Sequence, residues 1–203
     1  MAVYQLSAYP TQIDLGHTKS ITVRPMVAED AGALLEFFRR VPDEERYFLK
    51  DDVVSQSVID GWARHLDYDR ALPLLAFDGD RVCADAVLIR HRGNARNHYA
   101  EVRVVVDPAL RGRGLGRALL KELCDIAWDA EIEFAQGEFV EGVQDEALVA
   151  VRELGGVDVG AIRDAYRDLS NHPHDMVVLR IPLGKSWEWA RQDLEAVGSR
   201  GET

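Results

Sequence analysis

The 203 residues are 47% hydrophobic and 29% charged, which supplies one substantial core and excludes a chain that stays disordered. A formal net charge of -11, from 24 Lys+Arg against 35 Asp+Glu, opposes a polyanion over most of the surface, so no nucleic-acid partner is expected. No stretch approaches the roughly 18 apolar residues of a membrane span, the chain opens without a basic leader, and Cys83 and Cys124 lack zinc or redox spacing; a cytoplasmic protein without a metal site is expected.

Ile13 to Leu15 and Ile21 to Arg24 predict two short strands joined through Gly16, with Pro25 ending the second. From Ala28 to Arg40 the period becomes helical, with Ala31, Leu34, Leu35 and Phe38 on one stripe and Glu29 and Asp30 at the dipole's positive end. Pro42, followed by Asp43, Glu44 and Glu45, suits the first turn of a further short helix, and Ser55 to Leu66 predicts another despite Gly61. Leu72 to Phe77 and Val82 to Arg90 read as a hairpin around Asp78-Gly79-Asp80.

Tyr99 to Val106 is the most strand-like segment, because Val102, Val104, Val105 and Val106 suit burial on both faces. Gly114 to Ala130 then predicts an amphipathic helix and Ile132 to Phe134 a following strand. Glu146 to Leu154 reads as a helix stopped by Gly155-Gly156, Ala161 to Asp168 as a short helix or irregular arm, and Met176 to Ile181 as a late strand. A C-terminal amphipathic helix over about residues 186–197 would carry Trp187, Ala190, Leu194 and Val197. No repeat or linker divides the chain, so a single domain over 1–203 is expected, with its core at about 21–181.

The chemistry concentrates in Arg111-Gly112-Arg113-Gly114-Leu115-Gly116. Glycines at 112, 114 and 116 let a tight turn aim backbone N–H groups at an anion, and the helix that follows adds its unsatisfied N–H groups and dipole. A pyrophosphate fits this arrangement, with Arg111, Arg113 and Arg117 available for charge-assisted contacts. A P-loop would need a Lys-Ser or Lys-Thr ending, and a dinucleotide fingerprint needs Gly-x-Gly-x-x-Gly; neither is present.

The stretch from Val104 to Leu120, with Arg111, Gly114 and Gly116 at the positions of an Arg/Gln-x-x-Gly-x-Gly/Ala motif, resembles the acyl-CoA-binding core of the GNAT superfamily of N-acetyltransferases. The resemblance extends from about Ile21 to Ile181. It implies an α/β fold with a mixed, mainly antiparallel central sheet, flanking helices and splayed central strands. It also implies acetyl-CoA as cosubstrate, with the backbone of Val104, Val105 and Val106 pairing with pantetheine and residues Arg111 to Gly116, Leu115 included, holding the pyrophosphate.

A second family motif, Asn-x-x-Ala-x-x-x-Tyr-x-x-x-Gly-Phe, is matched here only at Ala147 and Gly155: Gln144, Val151 and Gly156 stand at the Asn, Tyr and Phe positions. The tyrosine that could protonate a departing thiolate is therefore absent at 151, and Tyr166 is the alternative phenol, with packing as its plainer role.

Direct acyl transfer needs a neutral amine and a proton acceptor, and Glu101 is the leading general-base candidate; pairing with Arg103 is the structural alternative. Asp85, an acid within an apolar strand, is the candidate for acceptor binding or a structural role. His172 and His174 read as turn and strand entry, and Ser55, Ser57 and Ser170 lack a nucleophile context. The expected activity is transfer of an acetyl group from acetyl-CoA to an amine acceptor, with transfer from another acyl-CoA, or a catalytically weak acyl-CoA sensor or protein-interaction module, as alternatives. Acceptor identity and oligomeric state are left open.

Overall fold

Where the sequence alternates or runs apolar, strands form: β1 Thr11–Asp14, β2 Ser20–Pro25, β3 Ala71–Asp78, β4 Arg81–Arg90, β5 Tyr99–Val106, β6 Phe134–Val140, β7 Val157–Arg167 and β8 Pro173–Pro182. Helices α1 Ala31–Arg40, α2 Asp43–Arg46, α3 Gln56–Arg64, α4 Leu115–Asp129 and α5 Asp145–Glu153 fill the connections. The computed structural model describes residues 4–16, 20–91 and 93–184. Among these, the strands form one sheet in the order β1-β2-β3-β4-β5-β6-β8-β7. All neighbours are antiparallel except β5 and β6, the pair joined through the α4 crossover. This is the mixed, mainly antiparallel sheet with flanking helices that the resemblance implied.

The sheet separates two cores. On one face Leu115, Leu119, Leu123 and Ala127 of α4 and Leu148 and Val151 of α5 meet Leu74, Ala86, Leu88, Ala100 and Val102. On the other, Leu34, Leu35, Phe37 and Phe38 of α1 and Ile59 of α3 meet Leu75 and Phe77. Phe37 and Phe38 lose almost all solvent contact, and each such burial stabilises the fold by about 2 kcal/mol. Cys83 and Cys124 are buried core residues.

Three expectations are corrected. Of the segment 161–168, expected as a helix or irregular arm, residues 161–167 belong to strand β7 at the end of the sheet. Its residues are almost all exposed, so no burial period marks it; its conformation comes from pairing with β8. The strand expected at Ile132 to Phe134 begins at Phe134 and runs on to Val140, with Ile132 buried ahead of it. Gln136, Gly137 and Glu138 hide that strand from a hydrophobic reading, and Gly137 leaves room for the Phe139 ring, which a Cβ would approach to 2.6 Å. The late strand expected from Met176 starts earlier, at Pro173. The helix expected at about 186–197 lies outside the described residues.

One buried carboxylate fixes where β5 hands over to the glycine turn. Asp107, 3% exposed, accepts from Arg40 Nε of α1 at 2.9 Å and from an Arg81 guanidinium nitrogen of β4 at 2.6 Å. It also caps the 3-10 turn Pro108–Leu110 by accepting from Ala109 N–H at 3.1 Å. Burial raises its pKa, but the Arg40, Ala109 and Arg81 hydrogen bonds outweigh that and hold it below the usual carboxylate range. Asp107→Ala removes the carboxylate shared by Arg40 and Arg81 and uncaps the turn, so urea unfolding should show a loss of about 2 kcal/mol. An unchanged midpoint would remove Asp107 from this role.

Candidate functional site

The parallel ladder between β5 and β6 is short. It pairs Tyr99 with Phe134, Ala100 with Ala135 and Glu101 with Gln136, and ends there. Both strands continue, β5 to Val106 and β6 to Val140, but β6 keeps its full register with β8 while β5 keeps its own with β4 as far as Val106. The central strands therefore splay beyond Glu101. Along 102–106 the β5 backbone turns an edge to this opening that a strand-like partner can meet with hydrogen bonds.

The glycine turn stands at the far end of that edge. Gly112 at φ +67° and Gly114 at φ +83° adopt the left-handed conformation that side chains disfavour, and the backbone reverses into α4 within two residues. Gly114 is the N-cap and supplies no side-chain cap. The first backbone bond into the helix is from Ala118 N–H to Gly114 C=O, so the N–H groups of Leu115, Gly116 and Arg117 precede the intrahelical ladder. Donors, a helix dipole and a surface without side chains at 112 and 114 coincide, which suits a phosphate group. Gly116 lies close to strand β5, where a Cβ would be 3.4 Å from a Val106 methyl group.

The three arginines separate in role. Arg111 donates Nε–H to Val106 C=O at 3.1 Å and holds both carboxylate oxygens of Glu45, in α2, at 2.7 and 2.6 Å. It ties the turn to β5 and to α2. Arg117 lies 3.4 Å from Glu153 of α5, and Arg113 is exposed on the turn itself.

On the α1 side of the sheet, a segment running on from α2 passes over the opening. Lys50 Nζ is 2.7 Å from Glu101 Oε1 on β5 and 2.9 Å from Glu138 Oε2 on β6, so one ammonium bridges the two diverging strands just past their last pair. Arg103 Nε–H donates to the same Glu101 oxygen at 2.8 Å. Burial raises the Glu101 pKa, but the bonds from Arg103 and Lys50 outweigh it and hold the carboxyl below its ordinary range. Burial likewise lowers the Lys50 pKa, and the bonds to Glu101 and Glu138 carry it above the ordinary lysine value. The group expected as base is thus a carboxylate that at rest already has two cationic partners.

Two residues before Lys50, Phe48 meets Tyr166 edge-on at 6.0 Å and His174 at 5.8 Å between ring centroids. The Tyr166 hydroxyl faces the Met176 sulphur at 3.8 Å. Met176 pairs with Val140, two positions beyond Glu138 on β6, so Tyr166 lies further along the opening than the Lys50 bridge. His174 Nε2 is 3.3 Å from Asp168, and no metal-binding cluster occurs among the described residues.

Asp85 lies opposite Val105 on β4 and is 7% exposed. Its Oδ1 has no hydrogen-bond partner among the described residues. Burial raises its pKa to about 7 against the opposing attraction of Arg103. It sits beside the Arg103–Glu101 pair from within the sheet rather than on an open surface.

Val151, at the tyrosine position of the second motif, is a buried core residue of α5. It also shapes the helix end: Gly156 N–H bonds Val151 C=O at 2.9 Å and Gly155 N–H bonds Arg152 C=O at 3.0 Å, with Gly155 at φ +84°. A Cβ at 156 would lie 2.7 Å from the Val151 carbonyl oxygen, which explains glycine at the motif's phenylalanine position. Gln144 is the N-cap residue of α5, and its side-chain oxygen accepts from Val140 N–H at 2.7 Å.

Sequence reasoning missed Lys50, Glu138, Glu45 and Asp107. For the first three no local signal exists, since their partners are distant in the chain. Asp107 carried one, because aspartate before Pro108 is a capping signature as well as a strand end.

The sequence model of the acetyltransferase (GNAT) family matches residues 33–142, which run from α1 through β6. Solved structures share the fold. The GNAT domain of S. lividans PAT superposes with a TM-score of 0.73 at 22% identity, over 87% of this chain and 98% of that one. A putative acetyltransferase from Salmonella typhimurium, solved with its cofactor acetyl-CoA, gives 0.70 at 19% identity over 81% and 94%. A ribosomal-protein-alanine N-acetyltransferase from Brucella melitensis gives 0.69 at 20% identity over 79% and 99%.

Asp85 makes a prediction that needs no ligand. The unfolded carboxyl loses its proton near 3.8 while the folded one keeps it to about 7, so the folded state binds more protons between those values. Stability therefore falls as pH rises through that window. Asp85→Asn should match the wild type near pH 4 and exceed it at pH 8, by up to about 4 kcal/mol, in denaturant melts at the two pH values. Parallel curves for the two proteins would refute it.

Proposed function

We propose that this chain, which belongs to the acetyltransferase (GNAT) family, transfers the acetyl group of acetyl-CoA directly to an amine acceptor. The observation that carries the reading is the continuity of one surface: the open edge of 102–106 leads straight into the Gly112–Gly114 turn and the N-terminus of α4. An extended pantetheine arm suits the edge and a pyrophosphate suits the turn. In this assignment Val104, Val105 and Val106 act through their backbone, Gly112 to Arg117 hold the phosphates, and Arg111 positions the turn.

The reaction joins nitrogen to the thioester carbon and breaks the carbon–sulphur bond. An alkyl amine, with a reference pKa near 10, arrives as an ammonium, gives one proton to solvent to free the lone pair that attacks, and loses a second as the new bond forms. Glu101 is assigned that proton, directly or through water. A carboxylate held by Arg103 and Lys50 is too weak a base to take the first proton from a resting ammonium, but the nitrogen becomes far more acidic once it attacks, so Glu101 is adequate for the second. The departing thiolate has an ordinary acidity near 8.5 and can leave before it is protonated, which relieves the lack of a phenol at Val151. Tyr166 is then assigned with Phe48 to the wall of the acceptor side.

A screen of amines for coenzyme A release with acetylated product tests the activity. Glu101→Gln should lower kcat about a hundredfold with acetyl-CoA affinity retained. Gly114→Ala, forced into left-handed backbone at about 1–2 kcal/mol, should weaken acetyl-CoA binding roughly tenfold by calorimetry. Tight acetyl-CoA binding with no product from any amine would favour the sensor reading that Val151 raises, and turnover only with a different acyl-CoA would reassign the donor.

A further inference from the structure

Lys50 is a primary ammonium placed where the proposed reaction needs one. It lies between carboxylates from two different strands, at the position where the β5–β6 ladder ends and the opening begins. The spacing of Glu101 and Glu138 is set by the sheet: each strand is held by its other neighbour, β5 by β4 and β6 by β8. Lys50 itself belongs to neither a helix nor a strand, and its side chain keeps 42% of its solvent exposure, so it can swing out without breaking any element. Deeper on the same side, Asp85 is buried with one oxygen unmet, next to the Arg103 that partners Glu101.

We propose that Lys50 is a specificity-determining residue that works as a tethered competitor: its ammonium occupies the acceptor's place between Glu101 and Glu138, and an acceptor is admitted by exchanging its own ammonium for that of Lys50. This rests on the acyl-transfer reading for the identity of the acceptor side. The exchange conserves charge, because a cation replaces a cation and the carboxylates never face the opening unpaired. An uncharged nucleophile of the same shape cannot make the exchange and would have to leave two carboxylates short of a partner. Among amines, the tether favours those that bring further contacts, since a bare alkylammonium competes with a group held at an effective concentration on the order of millimolar. In the exchange the acceptor's ammonium takes the place of Lys50 beside Glu101, which keeps Arg103 as its other cationic partner, and the acceptor's proton comes within reach of the carboxylate.

The test is calorimetric titration of n-butylammonium into the full chain saturated with coenzyme A, with n-butanol as the uncharged control. Lys50→Met should bind n-butylammonium about tenfold more tightly than the wild type, with n-butanol affinity unchanged. Adding Glu138→Gln to Lys50→Met should reverse most of that gain, and Lys50→Arg should not show it. Equal or weaker n-butylammonium binding by Lys50→Met overturns the proposal, as does an equal gain for n-butanol, which would mean only that space had been opened. Thermal melts of each variant confirm that a folded protein was titrated. If coenzyme A itself does not bind while Lys50→Met still gains affinity for n-butylammonium, the acyl-transfer reading fails and the ammonium site stands; the opposite pattern separates the two the other way.

Discussion

The backbone N–H and C=O groups of a strand need partners on both sides, in protein, ligand or water, and β5 beyond Glu101 has a strand partner on one side only. Everything around it keeps the other side from closing. β6 is held along its whole length by β8, so it cannot follow β5. The end of β5 is held by Asp107, which draws together α1, β4 and the turn that leads to α4. The opening is therefore a property of how the neighbours are anchored, and the surface it leaves is preorganised for an extended, hydrogen-bonding ligand with an anionic end.

The two ends of this surface are connected by one short stretch of chain. Glu45 holds Arg111 at the glycine turn, and Lys50, five residues on, holds Glu101 at the start of the splay. Each contact is partly solvated, so neither contributes much to stability alone. Their value is in placement: the one segment sets a common boundary for the glycine turn and for the Glu101–Glu138 pair.

The parts of this architecture legible in the sequence are those in which local pattern and tertiary environment agree. Tyr99–Val106 reads as a strand from its valines and is one, and the turn at Gly112 and Gly114 needs left-handed backbone where the glycines stand. The hairpin of β3 and β4 was equally visible from Gly79. What could not be read depends on pairing rather than burial. β7 is a strand because β8 lies beside it, and β6 extends through Gln136 and Glu138 for the same reason. At the site, Glu101 and Asp85 were visible as acids in strands, but the Lys50 ammonium over one comes from 51 residues away and the burial of the other follows from its place between β3 and β5 in the folded sheet.

β7 itself bears on how the molecule behaves in a crowded solution. An outermost strand of eleven residues with Val157, Val159 and Ile162 exposed would ordinarily template the addition of a strand from another molecule. Here its register with β8 shifts twice, between Asp158 and Gly160 and between Ile162 and Tyr166, and Asp164 turns to φ +52° inside the second shift. The edge is broken into pieces a few residues long, each flanked by charge from Asp158, Arg163, Asp164 or Arg167. A growing stack of such edges would lose its hydrogen-bond phase at every interruption, so the strand that is hardest to see in the sequence is also one that resists being copied.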